Sequence, residues 1–224
     1  MALIAPSLLA ADFARLGEAL HLIKTAGASM VHVDVMDGHF VPDISVGQPV
    51  VRSLRKATDL VLDVHLLVER PERYVPEFVA LGADRIAIHA EATPNLHKVL
   101  GVIRTGGAKA GLALNPSTAV ESVADALEEI DYLLILSADL GFANSAFLPR
   151  AVFKVQTACA LRRERRLDFA IQVEGSIGQE QVEGLVQAGA DILVAGSDIF
   201  PDDPQGRLAK MMRLAASSRQ VSRV

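Results

Sequence analysis

The chain has one cysteine, Cys159, which excludes a disulfide framework and a thiolate zinc cluster and fits a reducing cytoplasm. It has no apolar run near the ~20 residues needed to span a bilayer, so no membrane partner is expected. The apolar start Met1-Ala2-Leu3-Ile4-Ala5-Pro6 lacks a basic lead-in, and Pro6 and Asp12 interrupt it short of signal-peptide length. That segment reads as a first strand. Aromatic residues make up only 4%, and the net charge is -5. Nucleic-acid readers usually present a basic face interleaved with aromatics. The one basic concentration, Arg162-Arg163-Glu164-Arg165-Arg166, therefore reads as a solvated helix end, and no nucleic-acid partner is expected. Low-complexity linkers are missing too, so residues 1–224 read as a single domain.

What the chain does have is a repeat. Apolar, β-rich runs recur near Ile4, Val33, Leu62, Ile86, Leu112, Leu134, Ile171 and Leu193, each followed by a stretch compatible with an amphipathic helix. Glycine punctuates the units in Ala26-Gly27-Ala28, Leu81-Gly82-Ala83-Asp84, Gly106-Gly107-Ala108 and Ala188-Gly189-Ala190-Asp191, where it can take a left-handed helix cap. Near-continuous apolar strands are expected of a parallel sheet covered on both faces. Eight βα units in 224 residues predict one closed (β/α)₈ TIM barrel. The longest interval precedes the seventh strand, where Ala151 to Arg166 lengthens the helix. A last helix over Gln205 to Ala216 closes the ring, with 217–224 a frayed tail.

In such a barrel the chemistry sits at the C-terminal ends of the strands. His32 and Asp34 lie two apart in a β-branched run, so a strand aims both the same way. His65 and Glu174 end two other runs. Two imidazoles and two carboxylates at one rim suit a divalent cation, with zinc ahead of iron, manganese or cobalt. Asp34 on the second strand and Glu174 on the seventh face each other across the mouth. One carboxylate on each face is what a two-base inversion of a carbon centre requires. Glycines follow three successive strand ends, at Gly141, Gly175 and Gly196-Ser197, and free their backbone N–H groups for phosphate oxygens.

Together these residues resemble the ribulose-phosphate 3-epimerase family, almost end to end, from Ala5-Pro6-Ser7-Leu8-Leu9 to Val194-Ala195-Gly196-Ser197. The most specific segment is His32-Val33-Asp34-Val35-Met36-Asp37-Gly38-His39-Phe40-Val41-Pro42, supported by Asp63-Val64-His65-Leu66, His89-Ala90-Glu91 and Gly111-Leu112-Ala113-Leu114-Asn115-Pro116. The resemblance implies a barrel of the ribulose-phosphate-binding type, one divalent metal, a ketose phosphate substrate and inversion at C3. It carries His32, Asp34 and His65 over as metal ligands, Asp34 as proton-accepting base and Ser7 and His65 as substrate contacts. The phosphate site maps onto Gly175, Ser176, Gly196 and Ser197, with Gly141, Phe142, Ala143 and Asn144 in the preceding loop.

The departures fall around the same mouth. Glu174 stands where the family carries an aspartate that is both ligand and proton donor. Ser176 replaces a glycine, as in the allulose-6-phosphate 3-epimerases, and Asp139 and Ala143 also resemble that type. Leu140, Asn144 and Ser145 match neither pattern. Leu67 and Leu136 stand in for methionines of the substrate floor, leaving Met36; that exchange roughly conserves volume. Such substitutions fit either a changed or broadened substrate or a catalytically weak barrel that binds sugar phosphate or metal as a sensor or scaffold. Retention of both histidines, Asp34 and a carboxylate at 174 favours the first. A decarboxylase or Schiff-base aldolase needs a lysine at a strand end, whereas Lys109 lies at the start of the fifth strand. The expected partners are a small phosphorylated ketose and further copies of the chain.

Overall fold

A computed structural model of the chain describes residues 2–142 and 145–221, with only the backbone of 219–221. Among the described residues, eight strands form one parallel sheet: β1 (Leu3–Pro6), β2 (Met30–Met36), β3 (Val61–Leu67), β4 (Arg85–His89), β5 (Lys109–Leu114), β6 (Tyr132–Leu136), β7 (Ala170–Glu174) and β8 (Ile192–Ala195). Every expected run falls inside one of them. Consecutive strands from β2 to β8 pair in order, β8 pairs with β1, and a single parallel bridge, Ser7 to His32, joins β1 to β2. The result is a (β/α)₈ barrel.

The helices are α1 (Leu16–Thr25), α2 (Gln48–Ala57), α3 (Val75–Ala80), α4 (Leu96–Thr105), α5 (Arg150–Glu164), α6 (Gln179–Ala188) and α7 (Pro204–Val221). The fifth unit differs from expectation: Val120–Glu128 is a 3₁₀ helix with non-helical backbone at Val123. β-Branched Val120 and Val123 are poor helix formers, and Ser122 Oγ turns back onto the Ala119 carbonyl at 2.6 Å. The last helix continues past Ala216 to Val221, with Ser217 and Ser218 donating to the Leu214 carbonyl at 3.0 and 2.7 Å. Residues 222–224 of the expected tail lie outside the described residues.

Period-two alternation divides the core in two. Val31, Val33 and Val35, like Leu62, Val64 and Leu66, point outward into the main cluster between sheet and helices. Their neighbours point into the barrel, where β2 contributes His32 and Asp34 and β3 contributes Asp63 and His65, all buried. The helix-ending glycines Gly27, Gly82, Gly107 and Gly189 all have positive φ. Aspartates just before β4, β6 and β8 serve the neighbouring strand: Asp84, Asp131 and Asp191 accept the backbone N–H of Leu62, Ala110 and Ile171 at 2.8, 2.8 and 3.0 Å. Arg162, in the basic run ending α5, is half-buried and donates to the Phe169 carbonyl and Asp191, both at 2.7 Å. No helix among the described residues is long and apolar enough to cross a membrane.

Candidate active site

The β2–β3 register pairs His32 with Asp63 and Asp34 with His65, which sets two ligand-type side chains on adjacent strands at the same height. Glu174, the last residue of β7, reaches them from across the ring. One donor atom from each of His32, Asp34, His65 and Glu174 lies within 4.8 Å of the others. Asp34 Oδ1 is 3.2 Å from both His32 Nε2 and His65 Nδ1. Glu174 Oε2 is 3.2 and 2.9 Å from the same nitrogens. Donors about 2.1 Å from a tetrahedral ion stand about 3.4 Å apart, so these four can hold a divalent metal.

One atom makes the fit specific. Glu174 Oε2 is buried and close to two imidazole nitrogens, yet it accepts no hydrogen bond of acceptable geometry. A buried, unpaired carboxylate oxygen is costly in water's absence; a cation at the centre of the group satisfies it. The same carboxylates favour protonation of the two imidazoles. Burial lowers His65, but the charges of Glu174 and Asp34 outweigh it and push the ring up to about 8. His32 is raised well above its ordinary value against the same burial penalty. Burial also works to raise the Asp34 carboxyl, yet the two imidazoles hold it well below the usual carboxylate range.

A polar layer lies one step nearer the barrel floor. His32 Nδ1–H donates to Asp63 Oδ2 at 2.7 Å, leaving Nε2 to face the site. Asp63 also accepts from Gln172 Nε2 at 2.6 Å and Arg85 Nε at 3.0 Å. Arg85 in turn bonds Gln172 Oε1 at 2.8 Å and sits 3.8 Å over the Tyr132 ring. Burial would raise Asp63, but the His32 hydrogen bond and charge, with Arg85, hold it well below the usual range. On the other flank His65 Nε2 is 2.9 Å from His89 Nε2, and His89 Nδ1 is 3.1 Å from Glu91 Oε2. Burial pushes His89 down to about 4. Sequence reasoning assigned no role to Asp63, Arg85, Gln172, His89 or Glu91. Alternation marks Asp63 as sharing His65's face, and it was the available signal.

Beside the four donors a cavity of about 170 Å³ opens at the strand ends. Ser7, Asp34 and Glu174 line it together with Gly175, Ser176, Gly196 and Ser197. Ser7 Oγ donates to Asp34 Oδ2 at 2.7 Å. The preceding loop is placed differently: Phe142 borders a separate hollow of about 140 Å³, and Gly141 packs against Val41 and Pro42. Ala143 and Asn144 lie outside the described residues. Ser176 keeps a positive φ of 52° without being glycine. Its hydroxyl donates to the Ser145 carbonyl, and Ser145 Oγ donates to the Asp139 carbonyl at 2.6 Å. The Ser176 hydroxyl thus ties the loop after β7 to the loop after β6, which the Ser145 hydroxyl closes on itself. Met36 and Leu67 pack with Val41 against Phe40 and Leu140. Lys109 is on the opposite rim, 2.8 Å from Asp131. A larger hollow, about 600 Å³, runs along α1 between Asp12 and Leu22 and contains none of the four donors, so size does not mark the site.

A model of the ribulose-phosphate 3 epimerase family matches residues 3–200. The chain belongs to the ribulose-phosphate 3-epimerase family. It is 40% identical over 198 residues to the ribulose-phosphate 3-epimerase of Bacillus subtilis, covering 88% of this chain and 91% of that protein. The Mycobacterium leprae enzyme of the same name is 42% identical over 96% of each chain, and that of Aquifex aeolicus 37% identical over 97% of this chain and all of its own. A solved thiamine phosphate pyrophosphorylase from Pyrococcus furiosus superposes with a TM-score of 0.67 at 13% identity, covering 97% and 96% of the two chains; that likeness concerns the fold alone. As a member of the family, the protein is a carbohydrate isomerase, an epimerase of sugar phosphates.

Proposed function

We propose that the chain inverts C3 of a ketose phosphate, in the manner of ribulose 5-phosphate to xylulose 5-phosphate, with Asp34 and Glu174 as opposed acid and base. The observation that carries this reading is their convergence: carboxylates from β2 and β7 border one cavity and approach the same two imidazole nitrogens. Asp34 accepts the C3 proton on one face while Ser7 Oγ holds its second oxygen. Glu174 delivers a proton to the opposite face of the resulting enediolate, and the roles exchange in reverse. His32, Asp34, His65 and Glu174 are suited to hold one divalent ion, zinc first, which supplies Lewis-acid polarisation of the substrate's oxygens when bound. Gly175, Ser176, Gly196 and Ser197 line the same cavity and are suited to the phosphate.

The lone cysteine, half-buried Cys159, agrees with a cytoplasmic setting. Leu9, Phe13 and Ile44, exposed on the loops after β1 and β2, offer an apolar surface for self-association, checked by sedimentation.

The test is incubation with ribulose 5-phosphate, allulose 6-phosphate and four-carbon ketose phosphates in deuterated water. Deuterium at C3, dependent on both Asp34 and Glu174, is expected for at least one. A protein that binds these sugars yet exchanges nothing at C3 is a binder rather than an epimerase, and the reading fails.

A further inference from the structure

His89 ends β4 fully buried, between the His65 ring, whose centre lies 5.0 Å away, and the Phe40 ring at 4.6 Å. Protons along the His65–His89–Glu91 chain can be assigned from its outer end. Glu91 Oε1 accepts the Asn115 backbone N–H at 2.9 Å and the Thr118 hydroxyl. Glu91 Oε2, on the same ionised carboxylate, also only accepts. His89 Nδ1, 3.1 Å away, therefore carries a proton. A neutral imidazole has one N–H, which leaves His89 Nε2 as an acceptor. Across the 2.9 Å contact, His65 Nε2 must donate. In the neutral ring that ligation requires, the other nitrogen, Nδ1, is then a lone pair facing Asp34 and Glu174.

We propose that His89 and Glu91 are positioning residues that fix the tautomer and ring orientation of His65, so that Nδ1 is presented to a divalent ion. The proposal rests on the reading of His65 as a metal ligand. It explains why position 91 carries a carboxylate: glutamine has one acceptor oxygen for two obligate donors, the Asn115 N–H and the His89 N–H. Outer partners of metal-bound histidines commonly govern affinity 10- to 100-fold. His32 receives the same service directly from Asp63; His65 receives it through an intervening imidazole.

The experiment measures Zn²⁺ affinity of the full chain by chelator competition for wild type, His65→Ala, His89→Leu, His89→Gln and Glu91→Gln. Each variant is checked for a native far-UV spectrum. Zinc binding is expected to weaken about 10- to 100-fold in His89→Leu and Glu91→Gln, and to recover most of the loss in His89→Gln, which keeps an acceptor oxygen. In the zinc-bound wild type, ¹⁵N NMR is expected to detect a coupling across the His65 Nε2–H···Nε2 His89 hydrogen bond. Glu91, whose side chain is 25% exposed, supplies the variant of record should His89→Leu fail to fold. Wild-type affinity in Glu91→Gln, alongside a loss in His65→Ala, overturns the positioning role and leaves the metal site standing. Equal zinc binding by wild type and His65→Ala overturns the metal reading, and this proposal with it.

Discussion

Glu174→Asp introduces the aspartate that the sequence resemblance implies at this position while changing no charge, and the geometry predicts that it harms this enzyme. Glu174 Oε2 now stands 2.9 Å from His65 Nδ1 and 3.2 Å from His32 Nε2, close to the ~3.4 Å spacing of donors around one ion. Removing a methylene withdraws the carboxylate by roughly 1 Å, which opens both gaps to about 4 Å and takes the oxygen out of the shared sphere. Catalytic geometry is usually held within about 0.5 Å, and a 1 Å misplacement costs on the order of 10²-fold, or about 2.7 kcal/mol of barrier. We expect kcat/KM to fall about 10²-fold on the preferred ketose phosphate, with lower metal occupancy. Glu174→Gln keeps the length but cannot carry the proton, and should lose about 10²- to 10⁴-fold. The assay is coupled epimerisation alongside elemental analysis of the same preparations. An aspartate variant as fast as wild type on ribulose 5-phosphate, or faster, refutes the argument that this mouth is built around the longer side chain.

Three other outcomes are expected from the packing and charge of the barrel. Gly111→Ala would place a Cβ 2.2 Å from Tyr132 Cζ, under a ring already covered by Arg85 at 3.8 Å; overpacking should cost about 1–3 kcal/mol or more by urea unfolding, and an unaltered midpoint contradicts it. A Cβ at Gly196 meets Ala10 Cβ at 3.0 Å and the Ser7 carbonyl at 3.2 Å, so Gly196→Val should raise KM for the phosphorylated sugar and spare metal content; equal turnover of the unphosphorylated ketose by wild type removes the phosphate from this cavity. In metal-free protein the raised His65 favours folding fully below its unfolded value near 6.5, and that contribution, about 2 kcal/mol, is lost as pH rises through about 8. Chelated protein should therefore lose stability from pH 6.5 to 8 while apparent metal affinity rises. Thermal unfolding that improves across this window refutes the assignment.

Strand positions are legible in this chain because each carries a β-branched or leucine-rich run bounded by glycine or polar punctuation, and the four donors are legible because period-two alternation turns the His32–Asp34 spacing into a shared direction. Helical detail is less legible. Val120–Glu128 has a helical pattern, yet its β-branched residues and Ser122 settle into 3₁₀ geometry. Asp63 reads in the sequence as one polar residue in an apolar strand. Its meaning depends on the β2–β3 register and on Gln172, 109 residues away, a contact that no local pattern encodes. Arg85 is hidden for the same reason, since it reaches Gln172 from the other side of the ring. The phosphate loop is legible only in part: Gly175 and Gly196 share a cavity, whereas Gly141 is used for the close approach of its backbone to Val41.

The charge balance inside the barrel ties these layers together. Asp34, Asp63 and Glu174 are buried carboxylates, and Arg85, 13% exposed at its side chain, is the cation that faces them. Arg85 bonds Asp63, in a region of low dielectric where unpaired charge is strongly disfavoured. The charges of Glu174 and Asp34 draw protons toward His32 and His65 against the penalty of burial, and both rings are raised. A divalent ion held by the same donors takes the place of those protons, because ligation requires neutral rings. The floor layer thus does more than orient His32: by giving Asp63 a cation of its own in Arg85, it leaves Asp34 and Glu174 to the upper group, as the carboxylates that face the ion.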